Sequence, residues 1–414
     1  MRNLILKIWY LFDKSDKRKI YILFFLIITG TFAEILGFGV IIPFLVVVSK
    51  PEVVQENIYI KTVYDWISPI SYNAFIVWIG LFIIVVFLLK NLYLFFSKYF
   101  LFSFTASIHH KLTSRLFRSY LNSPYTFHLK RNSAQMLRNL GIVLSIINGL
   151  FLPFIRILTD LLLIIFVVII LMMVDFSSAL VIFGFTGLIS VAYILIVKRR
   201  QHDYGERYND LHTMLIKQFN QGLGSIKESK ILGREYYFDK LYSHYLLDMN
   251  KISKWQQSIN ILPRYIIETS LVALVLLIMF FALNKGNDME TILISMSFFG
   301  LASIRLMPSM SALSSSMNLI RFYTPGLEEV YSDLKMSELY NTPINDETIS
   351  DFIIFQKEIK LDHIDFSYDG SEKPVLKDLS IVIKKNNTVA LVGETGTGKT
   401  TVVDIILGLL IAER

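Results

Sequence analysis

Near the end of the chain stands the run Gly393-Glu394-Thr395-Gly396-Thr397-Gly398-Lys399-Thr400. Glycine at the first and sixth places, followed by lysine and a hydroxyl residue, is the spacing that lets backbone wrap round a phosphate chain. The glycines admit close approach, and successive N–H groups face the anion. Lys399 is expected to reach the β- and γ-phosphates, and the Thr400 hydroxyl to ligate Mg²⁺.

Such a loop works only between a strand and a helix. The residue types predict a strand over 388–392 and a helix over 401–410, whose N-terminal dipole favours an anion. Two further strand-like runs, 359–368 and 379–384, come before it. Tyr368 closes the first of them, where an aromatic ring can stack on a nucleotide base; an ordinary strand aromatic is the alternative.

The remainder of the chain has another character. Of its 414 residues 53% are hydrophobic and 18% charged, against about 25% charged in a soluble domain. The mean hydropathy is +0.51. A soluble globule and a disordered chain are both excluded. With no cysteine, disulfides, thiolate zinc sites and a cysteine nucleophile are excluded too.

Six apolar runs, 20–48, 74–96, 141–174, 177–197, 259–283 and 291–320, are each long enough to cross a hydrocarbon core. Only Asp175 and Phe176 separate the third from the fourth, as in a tight hairpin. The first is too long for a cleavable signal peptide. Lysine and arginine crowd the N-terminal segment and the connections after the second and fourth runs. The other side has only Lys50, Lys61 and Lys285. Both termini are therefore expected in the cytoplasm. Membrane topology accounts for these cations, and no nucleic-acid partner is inferred.

The two basic connections, about 45 and 60 residues long, read as helical extensions of the spans. Each breaks near its middle, at Asn122-Ser123-Pro124 and at Gly222-Leu223-Gly224. A short segment at each tip could press on a cytoplasmic domain. On the outer side, Val54, Ile58, Val63, Trp66 and Ile67 predict a short amphipathic helix at the interface, stopped by Pro69. Prolines Pro43, Pro153, Pro263 and Pro308 stand inside four of the spans, where each removes a backbone donor.

Glu34, Lys90, Arg156, Asp160, Arg264, Glu268 and Arg305 place charge within the spans, at a cost of about 2.5–3.5 kcal/mol each near a span's centre. Arg156–Asp160 and Arg264–Glu268 have the i,i+4 spacing of pairs on one helix. Lys90, Arg264 and Arg305 are candidates for a cationic cavity wall that attracts an anionic headgroup. Interhelical pairing and snorkelling are the alternative.

Taken together, six spans, two long cytoplasmic excursions, a linker over 331–352 and a P-loop segment over 353–414 resemble an ABC-transporter exporter half-subunit. The transmembrane domain would then cover 1–330. This implies an α-helical membrane protein, a six-span bundle followed by a partial P-loop α/β nucleotide-binding domain. It also implies ATP and Mg²⁺ as cofactors, with Tyr368 on adenine and Gly393, Glu394, Thr395, Gly396, Thr397, Gly398, Lys399, Thr400 and Thr401 round the nucleotide. A homodimer is implied, in the bacterial cytoplasmic membrane. The segment 222–235 is similar to the family's second coupling helix. Within the family, Ile261-Leu262-Pro263-Arg264, Ile304-Arg305-Leu306-Met307-Pro308-Ser309 and the outer helix resemble the bacterial lipid-linked oligosaccharide flippases of the Pgl type. That implies an anionic lipid-linked cargo, with a peptide, a lipid A-like lipid or a drug as alternatives.

The family's Q-loop, signature, Walker B with catalytic glutamate and switch histidine do not follow the P-loop here. No catalytic residue is therefore assigned, and the chain by itself is expected not to hydrolyse ATP. A truncated, non-transporting fragment is the second reading.

Overall fold

The computed structural model describes residues 2–49, 52, 54, 58–67, 69–174, 176–284, 289–340, 355–368 and 373–412. Helices dominate them: α1 (Arg2–Tyr10), α2 (Lys14–Ser49), α3 (Ile58–Ile67), α4 (Tyr72–Asn122), α5 (Tyr125–Lys130), α6 (Ser133–Ile146), a π-helical turn (Ile147–Phe151), α7 (Leu152–Val174), α8 (Phe176–Gly224), α9 (Ile226–Ile231), α10 (Glu235–Asn284) and α11 (Met289–Tyr340). Then come β1 (Glu358–Phe366), β2 (Leu376–Lys384) and α12 (Lys399–Ile406).

Five of the six apolar runs lie within one long helix each, and the third, 141–174, passes through the end of α6, the π-helical turn and α7. Among the described residues four helical stretches, Tyr72–Asn122, Ser133–Met173, Ala179–Gly224 and Glu235–Phe280, are long and apolar enough to cross a membrane. Their outward faces carry exposed Phe82, Leu88, Phe95, Leu188 and Leu277, the surface a helix presents to lipid rather than to water. Helices α4 and α8 run on well past their apolar stretches, and α10 begins well before its own. Helix α4 ends at Asn122, before Pro124, whose ring disfavours helix at the residue preceding it. Helix α8 ends at Gly224.

The chain forms two compact units, residues 1–114 with 141–331, and residues 115–140 with 332–414. In the first unit α7, α8, α10 and α11 pack round Leu171, Ala179, Ile182, Ile267, Leu271, Leu274, Leu306 and Met310. Glycines bring backbones together here. A Cβ on Gly205 would meet the Phe322 carbonyl oxygen at 2.1 Å, and one on Gly149 would meet the Tyr323 ring at 1.9 Å. Gly149 belongs to the π-helical turn, and Pro153 is the second residue of α7. The short helix α3 buries one side, with Ile60, Tyr64 and Ile67 against Val47, Val54 and Phe75. Its other side leaves Ile58, Val63 and Trp66 exposed.

In the second unit β1 and β2 form an antiparallel pair, with Glu358 opposite Lys384 and Leu361 opposite Ile381. The register shifts between Leu361 and Ile364, where His363 and, across from it, Asp378 take left-handed backbone angles. Two expectations need correction. Residues 388–392 join no sheet among the described residues. A strand exists through its neighbour's hydrogen bonds, and Val389, Leu391 and Val392 are instead exposed. Residues 331–340, read as the start of the linker, continue α11; residues 341–352 of that linker lie outside the described residues.

Candidate functional site

The phosphate-type loop sits between the extended residues 388–392 and α12. Gly396 and Gly398 have φ of +94° and +84°, values that cost a residue with a Cβ about 1–2 kcal/mol. Gly398 has a second constraint. A Cβ there would lie 2.9 Å from Leu376 Cδ2 and 3.1 Å from Val375 Cγ1, so the loop is pressed onto β2. Gly398 is also the N-cap of α12 and supplies no side chain to the first-turn N–H groups. Those donors stay available to an anion.

Lys399 is folded across the loop. Its Nζ donates to the Gly393 carbonyl at 2.9 Å and to the Glu394 carbonyl at 2.5 Å, and lies 3.5 Å from Thr397 Oγ1. The Thr397 hydroxyl donates to the Glu394 carbonyl at 2.9 Å. The lysine charge is thus held at the loop's centre by neutral oxygens. These are weak competitors for it against a phosphate, whose charge-assisted hydrogen bonds are about twice as strong. Glu394, Thr395, Gly396, Thr397 and Thr400 are exposed around it. The loop therefore fits a phosphate chain, and the exposed Thr400 hydroxyl is the residue that would hold Mg²⁺.

Tyr368 stands beside this loop. Its hydroxyl is 3.1 Å from that of Thr401, the third residue of α12. Its ring meets Phe366 edge-on at 5.0 Å. Beneath lies the fragment's apolar core, Leu361, Phe366, Leu376, Val402 and Leu410. Tyr125, the first residue of the tip helix α5, packs against that same core.

The root of this tip holds a buried polar cluster that the sequence reading missed. Asp333 of α11 is 1% exposed. It accepts hydrogen bonds from the Tyr120 hydroxyl at 2.7 Å and from Asn139 Nδ2 at 2.8 Å. Arg131 Nη2 lies 2.8 Å from its other oxygen. Arg138, buried, donates to Asn139 Oδ1 from Nε at 3.2 Å and from Nη2 at 2.6 Å. Arg115 pairs with Glu338 at 2.7 Å. One carboxylate thus ties both arms of the first excursion and its tip to α11. Burial first, and then the Asp333 charge, lift the Tyr120 hydroxyl well above the usual tyrosine range. Arg131 and Arg138 belong to the basic connection whose cations membrane topology accounts for; Arg131, partly buried, pairs with Asp333, and Arg138 is buried against Asn139. A signal was present: Leu327, Val330 and Leu334 form a buried stripe on α11, and Asp333 falls on it by helical spacing.

In the first unit, Lys90 lies across Gly37, where a Cβ would meet its Cδ at 3.0 Å and its Nζ at 3.2 Å. Its ammonium is 4.1 Å from the Phe87 ring centre. It therefore packs onto α2. Arg264 is exposed on α10, and the Arg305 side chain lies outside the described residues. Arg156 and Asp160 pair along α7 at 3.5 Å.

Residues 20–306 match the ABC transporter transmembrane region, and residues 376–414 match the ABC transporter family model. The chain belongs to the ABC transporters. A Staphylococcus aureus protein described as a multidrug export ATP-binding/permease protein is 45% identical over 53 residues, 13% of this chain and 9% of that protein. The beta-(1→2)glucan export ATP-binding/permease protein NdvA of Rhodopseudomonas palustris is 24% identical over 307 residues, 70% of this chain. The match spans 48% of that relative's length, and only a small part of the first. In fold the chain is similar to a bacterial Atm1-family ABC exporter solved with ATP bound, with a TM-score of 0.65 and 14% identity, over 97% of this chain and 67% of that one.

Proposed function

We propose that the chain is a half-subunit of an ATP-driven exporter or flippase that works as a homodimer. Both termini lie in the cytoplasm of a bacterium, and the cargo is a lipid-linked oligosaccharide or a related anionic lipid. The observation that carries the ATP-driven part is the P-loop fragment, whose core includes Tyr125 of the tip helix. A change of state at the loop has a short path to the excursion that continues two apolar helices.

Within this reading the transmembrane domain covers 1–330, with the nucleotide-binding part from 353. ATP supplies a polyphosphate whose charge and Mg²⁺ are held by the loop. Lys399 would exchange the Gly393 and Glu394 carbonyls for phosphate oxygens. The α12 N-terminus would face the same anion, Thr400 would hold Mg²⁺, and Tyr368 would border the base. Movement of the fragment then bears on Tyr125, and the Asp333 cluster carries it to α4, α6 and α11. Transport follows only where the two states hold cargo differently. Lys90, Arg264 and Arg305 supply cationic charge toward a phosphate-bearing headgroup. The likeness to a glucan exporter supports a glycan-bearing cargo. The likeness to a multidrug exporter over the nucleotide-binding segment says nothing of cargo.

The test is transport of a fluorescent lipid-linked oligosaccharide in proteoliposomes containing the chain joined to a complete nucleotide-binding domain, with and without ATP. ATP-dependent movement that stops when Lys90, Arg264 and Arg305 are all replaced by glutamine supports the reading. Movement that persists in the triple variant ends the cationic-cavity part, and movement of drug or peptide alone ends the lipid cargo.

A further inference from the structure

An apolar cavity lies where α1 meets α2 and the start of α7, and none of the proposed cargo residues lines it. Its volume is about 230 Å³, and every residue lining it is aliphatic or aromatic, including Trp9, Phe12, Leu23, Phe24, Phe151 and Phe154. Apolar cavities of this order stay dry and accept hydrocarbon. Its position is informative. The lining on α2 begins at Ile20 and runs to Ile27, directly after Lys14, Lys17, Arg18 and Lys19. The cavity therefore starts where the basic segment gives way to the apolar run, the level at which lipid headgroups meet acyl chains.

The mouth is cationic. Lys17 Nζ stands 5.1 Å from the centre of the Trp9 ring that forms one wall, and Lys14, Arg18 and Lys19 are exposed in the same first turns of α2. Trp9 meets the exposed Tyr21 edge-on at 6.4 Å, the aromatic pairing expected at a membrane interface. Two acids share the segment. Asp16 is buried against Lys111 at 2.6 Å and does not oppose the mouth; Asp13 is exposed. Cations prevail there.

We propose that this cavity is a binding site for one acyl chain of an anionic glycerophospholipid, whose headgroup phosphate is held by Lys17 with Lys14, Arg18 and Lys19. The lipid fastens α1 to the membrane end of α2 and the π-helical turn. This rests on the membrane-embedded part of the proposed function and on neither its cargo nor its nucleotide.

Trp9 is the reporter. The protein carrying Trp66, Trp78 and Trp255 changed to phenylalanine is placed in nanodiscs of phosphatidylcholine. Lipids brominated on the acyl chain are then titrated in, either phosphatidylglycerol or phosphatidylcholine. Quenching by brominated phosphatidylcholine reports only that Trp9 is embedded. The proposal requires that brominated phosphatidylglycerol quench at a far lower mole fraction. Each cation among Lys14, Lys17, Arg18 and Lys19 changed to glutamine should erode that preference by about fivefold at low salt. Leu23→Phe, which narrows the cavity, should weaken quenching by the anionic lipid while the charges remain. Equal quenching by the two lipids, or a preference that survives neutralisation of all four cations, overturns the proposal. Loss of quenching by both lipids would instead show that Trp9 is not embedded, and would remove its premise.

Discussion

The Tyr120 hydroxyl donates a 2.7 Å hydrogen bond to Asp333 across 213 residues of sequence, with both groups buried. Removing the donor leaves the carboxylate with Asn139 and Arg131. Tyr120→Phe should therefore cost about 1–3 kcal/mol. Asp333→Asn strands the Arg131 charge and should cost more, about 3–5 kcal/mol. Thermal unfolding of the purified protein in detergent measures both.

The same pair sets an alkaline limit. The folded state holds the Tyr120 proton to a pH well above the ordinary tyrosine value, which is about 10. The contribution is complete below that value. As pH rises past it the unfolded chain releases the proton and the folded one does not, so stability falls. Unfolding followed across that range should show a slope that Tyr120→Phe lacks.

Lys399→Ala should weaken ATP binding about 10- to 100-fold, the loss of a charge-assisted hydrogen bond to phosphate. It should leave the melting temperature without ATP nearly unchanged, since the lysine's present partners are exposed carbonyl oxygens of its own loop. Titration with a fluorescent ATP analogue, beside a melting curve, separates the two effects.

Two glycines of one loop should behave differently. Gly396→Ala meets nothing within 4 Å and pays only for its backbone angle, about 1–2 kcal/mol. Gly398→Ala pays that and also collides with Leu376 and Val375. It should displace the start of α12 and abolish nucleotide binding, measured in the same titration. If the two variants bind equally, the loop is not seated on β2 as described.

Much of this was legible in the residues, and the limits are physical. The glycine spacing of 393–400 announces its chemistry because only glycine tolerates the angles at 396 and 398. The breaks at 122–124 and 222–224 are visible because proline and glycine act locally. The run 388–392 misled, since β-branched residues report a preference and a strand also needs a neighbour. Asp333 was passed over because an acid in a polar stretch reads as solvated. Its burial depends on Tyr120, Arg131 and Asn139, which are remote in sequence.

Close backbone contacts were equally invisible. Gly205→Ala drives a methyl into the Phe322 carbonyl and should lower the melting temperature sharply or prevent folding. Gly184→Ala and Gly187→Ala, with nothing within 4 Å, should be nearly neutral. Size-exclusion profiles and melting curves of the three variants test this directly.

The seat of Tyr125 in the P-loop fragment's core has a consequence for biogenesis. The ribosome makes Tyr125 well over two hundred residues before Val402, so that piece of the core waits through the insertion of four more helices. A chimaera that exchanges the nucleotide-binding segment between relatives must therefore carry its matching tip residue, or inherit a gap where the tyrosine belongs.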